Sequence, residues 1–268
     1  MTLRTLGLAV LGVSGLAIFP ACKNEAPASP PSPPSPGAGT AAPAPTPPAA
    51  PVPEPVTSRG TIRGVVKFNG APPEAAELAP SADPACEGML LKDQSVLVKD
   101  GKLQNVLVRV RGPVPGAAAA VTAPVVVDQQ KCSYQPRVQG AVAGQPLQIK
   151  NSDGTMHNVR GMLGTKALFN VAQPPSAPPV TKPVPAEVEL LQLKCDVHPW
   201  MRAYVAVSPH PYFVTTREEG VFALEGVPAG SYTLEAWHET LGTKTAEVTV
   251  KEGAPAEVSF DFSAADKG

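Results

Sequence analysis

The sequence predicts an all-β protein, and three observations carry that prediction. Short runs rich in Val, Leu, Ile and Thr fill the chain from Arg59 to Phe262: TIRGVVKF, LQNVLVRV, PVVVD, PLQIKN, EVELLQLK, RAYVAVS, YTLEAWHE, AEVTV and AEVSFDF. Several alternate apolar and polar residues, the period-two signature of a strand with one buried face. Gly, Pro, Asn and Asp punctuate the runs, as in FNGAPP, KDGK, AVAGQ, NSDG, REEG and VPAG, and no stretch carries a convincing amphipathic helix. Sandwiches or barrels of antiparallel strands are the expected architecture. About two hundred residues exceed what one small sandwich needs, so two domains are expected.

The first element in chain order precedes the β pattern. Residues 1–21 read as a secretory signal: Arg4 supplies the positive charge, and Leu6 to Phe19 (LGLAVLGVSGLAIF) is an apolar run too short to span a bilayer comfortably. The run ends at FPAC, which resembles a bacterial lipoprotein box with Ala21 before the cut and Cys22 as the lipidated residue, although Phe19 stands where such boxes carry leucine. The resemblance implies a chain anchored to a membrane through Cys22, in the bacterial cell envelope or periplasm. An uncleaved N-terminal anchor is the alternative, and both place the rest of the chain outside the cytoplasm. Residues 22–58 form a Pro/Ala-rich tether without the apolar residues for a core. Its prolines favour an extended disordered chain, which at about 3.1 Å per residue reaches roughly 100 Å. A formal net charge of −1 gives no basic face for nucleic acid.

The opening of the β region, G-x-I-x-G-x-V-x-F-x-G-x-x-P from Gly60 to Pro73, and the later G-x-F-x-L-x-x-V-P-A-G-x-Y-x-L from Gly220 to Leu234 share one likeness. Both resemble carboxypeptidase regulatory-like (transthyretin-like) domains. The resemblance implies that Gly220 and Gly230 sit in hairpin turns and that Phe222, Leu224, Tyr232 and Leu234 alternate inward. First strands at 59–121 and remaining strands at 209–268 would then make one β-sandwich, with 122–208 inserted. A simple tandem with its break near Pro209 is the alternative.

Residues 194–201 read KCDVHPWM and place Cys195, His198 and Met201 three apart. Thiolate, imidazole and thioether together select copper, and two histidines, a cysteine and a weak axial methionine are the type 1 (blue) copper set. Zinc sites use Cys, His and carboxylates rather than thioether. The second histidine must come from another strand, and NSDGTMHNV offers His157. N-x-D-x-x-x-H-N-V followed by C-x-x-H-x-x-M resembles the cupredoxins, such as plastocyanin and amicyanin, over about residues 124–208. The resemblance implies a Greek-key sandwich holding one type 1 copper on His157, Cys195, His198 and Met201. It implies that Asn158 ties the two ligand loops together, and that electrons pass through an exposed edge of His198 in an apolar patch that includes Pro199 and Trp200; Trp200 packed inward is the alternative.

With Cys22 lipidated and Cys195 on copper, Cys86 and Cys132 remain, and outside the cytoplasm they are expected to form a disulfide. Two buried thiols are the alternative. His210 and His238 read as structural or surface residues, with a second weaker metal site or a docking surface between the domains as other uses. Met156 and Met162 read as core or as a cap over the copper. Four ligands leave no open position for substrate, which argues against an enzyme. The expected function is a one-electron carrier working with redox proteins of the cell envelope that the sequence does not name. A copper-buffering or delivery protein is the second reading, and a structural or carbohydrate-binding β-sandwich module the third.

Overall fold

The computed structural model describes residues 58–78, 83–87, 92–118 and 121–266. The expected signal segment, the expected lipidation site Cys22 and the expected tether up to residue 57 lie outside the described residues. Among the described residues, all eighteen regular elements are strands. β1 (Arg59–Asn69), β2 (Val98–Lys99), β3 (Lys102–Leu103) and β4 (Leu107–Val110) come first. Then follow β5 (Val125–Gln130), β6 (Ser133–Gln135), β7 (Val138–Val142), β8 (Pro146–Asn151), β9 (His157–Leu163), β10 (Lys166–Gln173), β11 (Val180–Pro183), β12 (Leu190–Lys194) and β13 (Arg202–Ser208). The chain ends with β14 (Phe213–Thr215), β15 (Val221–Pro228), β16 (Gly230–His238), β17 (Gly242–Val250) and β18 (Ala256–Ser263).

The earliest and latest strands share two sheets. One has the order β15-β1-β3-β2, with β18 running parallel to β1 on its other edge; the other has the order β14-β4-β16-β17. Alternation explains what lies between them. On β1, Ile62, Val66 and Phe68 point inward and meet Leu234, Phe260 and Phe262 in one buried cluster. Gly64 occupies the same inward register, and a Cβ there would lie 1.6 Å from the Val258 carbonyl oxygen and 2.8 Å from the Phe222 ring. Only glycine permits that approach of strands and ring.

β5 to β13 build a second sandwich. Its sheets have the orders β10-β9-β12-β13-β7 and β11-β8-β5-β6, around Val127, Ile149, Val159, Leu191, Leu193 and Val205. The two sandwiches meet through a small cluster of Leu107, Val138 and Ala206, flanked by Tyr204 against Trp237 at 5.3 Å between ring centroids. Arg137 reaches across with both ends of its guanidinium on Glu239, and Arg109 donates to the Val207 carbonyl at 3.1 Å. Next to that bond, Glu235, itself buried, accepts from Arg109 and Arg111, both at 2.8 Å.

Candidate metal centre

The site grows out of strand alternation. On β12, Leu191 and Leu193 face the core, and the next inward position is Cys195. On β13, Val207, Val205 and Ala203 face the core, and the next inward position toward the N-terminus is Met201. β12 and β13 pair antiparallel with Leu193 opposite Ala203, so Cys195 and Met201 emerge together at one end of the sheet. β9 lies on the other side of β12, with Gly161 opposite Leu193. Its inward residues are Gly161, Val159 and then His157, at the same end. A tight turn closes the ligand loop: the Cys195 amide donates to the Met201 carbonyl at 3.3 Å, and the Met201 amide to the His198 carbonyl at 2.9 Å.

The side chains of His157, Cys195 and His198 converge, all buried, with their ligand atoms within 4.8 Å of one another. The two Nδ1 atoms are 2.9 Å apart, and Cys195 Sγ is 3.8 Å from His198 Nδ1. Each histidine has its other nitrogen engaged by a carboxylate: His157 Nε2 with Asp153 Oδ2 at 3.0 Å, and His198 Nε2 with Asp83 Oδ2 at 3.1 Å. A carboxylate accepts, so Nε2 carries the proton and each Nδ1 presents a lone pair. At 2.9 Å the two Nδ1 atoms need positive charge between them, a shared proton or a metal ion. Two nitrogens bound at about 2.0 Å to one tetrahedral ion are separated by about 3.3 Å, and the observed spacing is a small ring rotation from that. The donor set fits a metal ion. Met201 is 1 % exposed and belongs to the same buried cluster as Cys195.

Burial lowers the pKa of His157 below its ordinary value, and the neighbouring His198 acts the same way, although the Asp153 hydrogen bond opposes them. A neutral imidazole is what a metal needs. Around the ligands, Asn158 joins the two loops: its Oδ1 accepts from the Asp196 amide at 2.7 Å and from the Cys195 thiol at 3.4 Å, while its Nδ2 donates to Asp196 Oδ2 at 3.0 Å. Arg160 closes on the same Asp196 oxygen at 2.7 Å. The Tyr134 hydroxyl donates to the Asn158 carbonyl, and burial, with Cys195 beside it, pushes the phenol pKa far up, so it remains a donor.

Several expectations meet a different arrangement. The edge of His198 is not exposed: 1 % of the residue reaches solvent, because Asp83 and Cys86 lie over its Nε2 side, with Cys86 Sγ 3.8 Å away. Cys86 is bonded to Cys132, with Cα atoms 6.0 Å apart, and this bond fastens the covering segment to the turn after β5. Pro199 is exposed, whereas Trp200 is half-buried, its ring 5.1 Å from that of His198 and its indole N–H on the Cys132 carbonyl. Met156 is 45 % exposed, so it is not core, and Met162 is half-buried on β9. His210 and His238 fit the structural alternative of their expected roles: both are buried and take part in loop hydrogen bonds, outside the ligand cluster. His210 Nε2 donates to the Gly112 carbonyl, and His238 Nδ1 accepts from the amides of Thr240 and Leu241. Sequence reasoning passed over Asp83, Asp153 and Asp196. The NSDG turn held a signal for Asp153, four residues before His157; nothing local marks Asp83, which lies 115 residues from the histidine it touches.

The family model of the carboxypeptidase regulatory-like domain matches residues 198–263, which include β14 to β18. Among solved structures, the chain is similar to a purple cupredoxin from Nitrosopumilus maritimus at 22 % identity, over 32 % of this chain and 99 % of that one, with a TM-score of 0.28. It is similar to an amicyanin variant in its reduced state at 25 % identity, over 38 % of this chain and 98 % of that one, with a TM-score of 0.29. It is also similar to a copper-containing nitrite reductase from Thermus scotoductus at 18 % identity, over 37 % of this chain and 25 % of that one, with a TM-score of 0.27. No curated protein matches the chain. The described residues are all-β, the carboxypeptidase regulatory-like family model matches residues 198–263, and cupredoxins are among the solved structures to which the chain is similar.

Proposed function

We propose that the chain is a type 1 copper protein that carries single electrons, tethered in the bacterial cell envelope by a lipid on Cys22. The convergence of two imidazole lone pairs and one thiol at the buried end of a sandwich carries this reading. Copper, when bound, would supply the Cu(I)/Cu(II) couple. His157, His198 and Cys195 would hold it, with Met201 as the weak fourth ligand. The chain's own part is rigidity. His157, Cys195 and Met201 continue core-facing registers of three neighbouring strands, and Asn158 with Asp196 locks one ligand loop to the other. Such ligands resist the rearrangement that separates the preferred geometries of the two oxidation states. Water is excluded by the same packing, since His157, His198 and Met201 are almost fully buried.

His198 is covered, so the route to the surface runs through its neighbours. Trp200 is packed beside the His198 ring, and Pro199 and Val197 are exposed on the same loop. These residues would form the contact for a redox partner. Cyclic voltammetry of the copper-loaded protein tests the carrier reading. A reversible one-electron wave with copper retained in both states supports it. Slow or irreversible reduction with tight retention of Cu(I) would instead favour a buffer.

A further inference from the structure

We infer that Asp83 and Asp153 are positioning residues for this centre, holding both imidazoles with Nδ1 inward and, as a carboxylate pair on one site, biasing it toward the oxidised metal. The inference rests on the copper reading above and adds what sets the potential of that site.

The two carboxylates reach the site independently. Asp153 comes from the loop between β8 and β9; Asp83 comes from the segment between β1 and β2, fastened by the Cys86–Cys132 bond. Each is itself held before it touches a histidine. Asp153 accepts from the Lys131 amide at 2.7 Å and the Cys132 amide at 2.9 Å. Lys131 and Cys132 adopt φ of 54° and 52°, two successive non-glycine residues in the left-handed region. That conformation is costly, and here it aims two backbone N–H groups at one carboxylate, as an anion-binding nest does. Asp83 accepts from the Ala85 amide at 2.9 Å and the Thr155 hydroxyl at 2.6 Å. Both oxygens that face the histidines are therefore fixed in place, and each imposes the Nε2–H tautomer on its ring. Partners of this kind orient a ligating imidazole and raise its basicity.

Charge supplies the second half. A thiolate with Cu(II) has net charge +1, and with Cu(I) it has none. Two carboxylates one imidazole away favour the more positive state, in surroundings that screen them weakly. The potential should therefore lie below that of the same ligand set without them.

Asn and Ala variants separate the two roles. In Asp83→Asn or Asp153→Asn, the amide oxygen can still accept from Nε2–H, at the cost of a backbone contact to the other oxygen, while the charge is gone. Ala removes charge and acceptor together. Nitrogen NMR of the metal-free protein should show both rings as Nε2–H in the wild type and in the Asn variants, with the partnered ring losing that single form in the Ala variant. In the copper-loaded protein, each Asn variant should change the Cu(II)-to-Cu(I) affinity ratio about tenfold toward Cu(I), which is a rise of about 59 mV for one electron. Rings in the metal-free wild type that carry a proton on Nδ1 but none on Nε2 would overturn the positioning role. A potential unchanged within twofold in both Asn variants would overturn the charge role. If the loaded wild type forms no thiolate-bound copper, the copper reading falls and the charge role with it, while the tautomers still decide the positioning role.

Discussion

Replacing Cys86 and Cys132 together by serine tests the physical argument at its most quantitative point. The bond closes a loop with a sequence separation of 46 residues. Chain-entropy bookkeeping for a loop of that length gives about 13 cal/mol/K, or about 4 kcal/mol at 25 °C, lost to the unfolded chain when the bond forms. With a urea slope of about 2–3 kcal/mol/M, the double variant should lose about 1.3–2 M in its unfolding midpoint. The slope itself should rise, because the unlinked unfolded chain exposes more surface. The bond also holds Asp83 over His198, so the variant should shift the copper potential in the same direction as Asp83→Asn. Urea denaturation followed by tryptophan fluorescence reads the first effect. A loss under about 1 kcal/mol with an unchanged slope would refute the claim that this bond restrains the unfolded chain.

Other consequences follow from single buried groups. His238 is fully buried, and burial, with Arg137 nearby, lowers its pKa from 6.5 to about 4. The unfolded chain then binds the extra proton first as pH falls, so stability is complete above pH 6.5 and declines by about 3 kcal/mol toward pH 4. His238→Asn keeps an acceptor for Thr240 and Leu241 and should flatten that part of the profile; an equal slope in thermal unfolding from pH 7 to pH 4.5 would count against this. Gly64→Ala drives a methyl group into the Val258 carbonyl and should cost about 3 kcal/mol, or roughly 6–12 °C in Tm; a change under 2 °C by calorimetry would show that the strands yield easily. Glu235→Gln leaves the mostly buried Arg109 with only the exposed Glu189, 3.8 Å away, as a charge partner and should cost about 3 kcal/mol, largely restored by Arg109→Met in the same chain. An additive double variant would contradict that coupling.

Much of this was legible because strands repeat every two residues. The alternation in ELLQLKC and in MRAYVAV already points Cys195 and Met201 the same way as the core residues preceding and following them. The stretches beginning at Gly60 and at Gly220 lie side by side, β1 pairing with β15 and Gly64 opposite Phe222. What stayed hidden depends on chain segments without a period. Among the described residues, the segment carrying Asp83 and Cys86 contains no long strand, and a disulfide and a few side-chain bonds hold those two residues by His198. The same covering explains why an edge expected at the surface is buried. Met156 falls in a loop one residue before β9, where alternation no longer assigns a face. His210 and His238 look alike in sequence, as lone histidines near strand ends. Their hydrogen bonds to the backbone of distant or adjacent turns appear only in three dimensions.

The most direct test of the central claim is the absorption spectrum of the full chain loaded with Cu(II), recorded beside Cys195→Ala. A type 1 centre on His157, Cys195, His198 and Met201 gives an intense visible band from thiolate-to-copper charge transfer, at one copper per chain, and Cys195→Ala abolishes it. A colourless copper complex in the wild type, or a band that survives Cys195→Ala, would contradict the account.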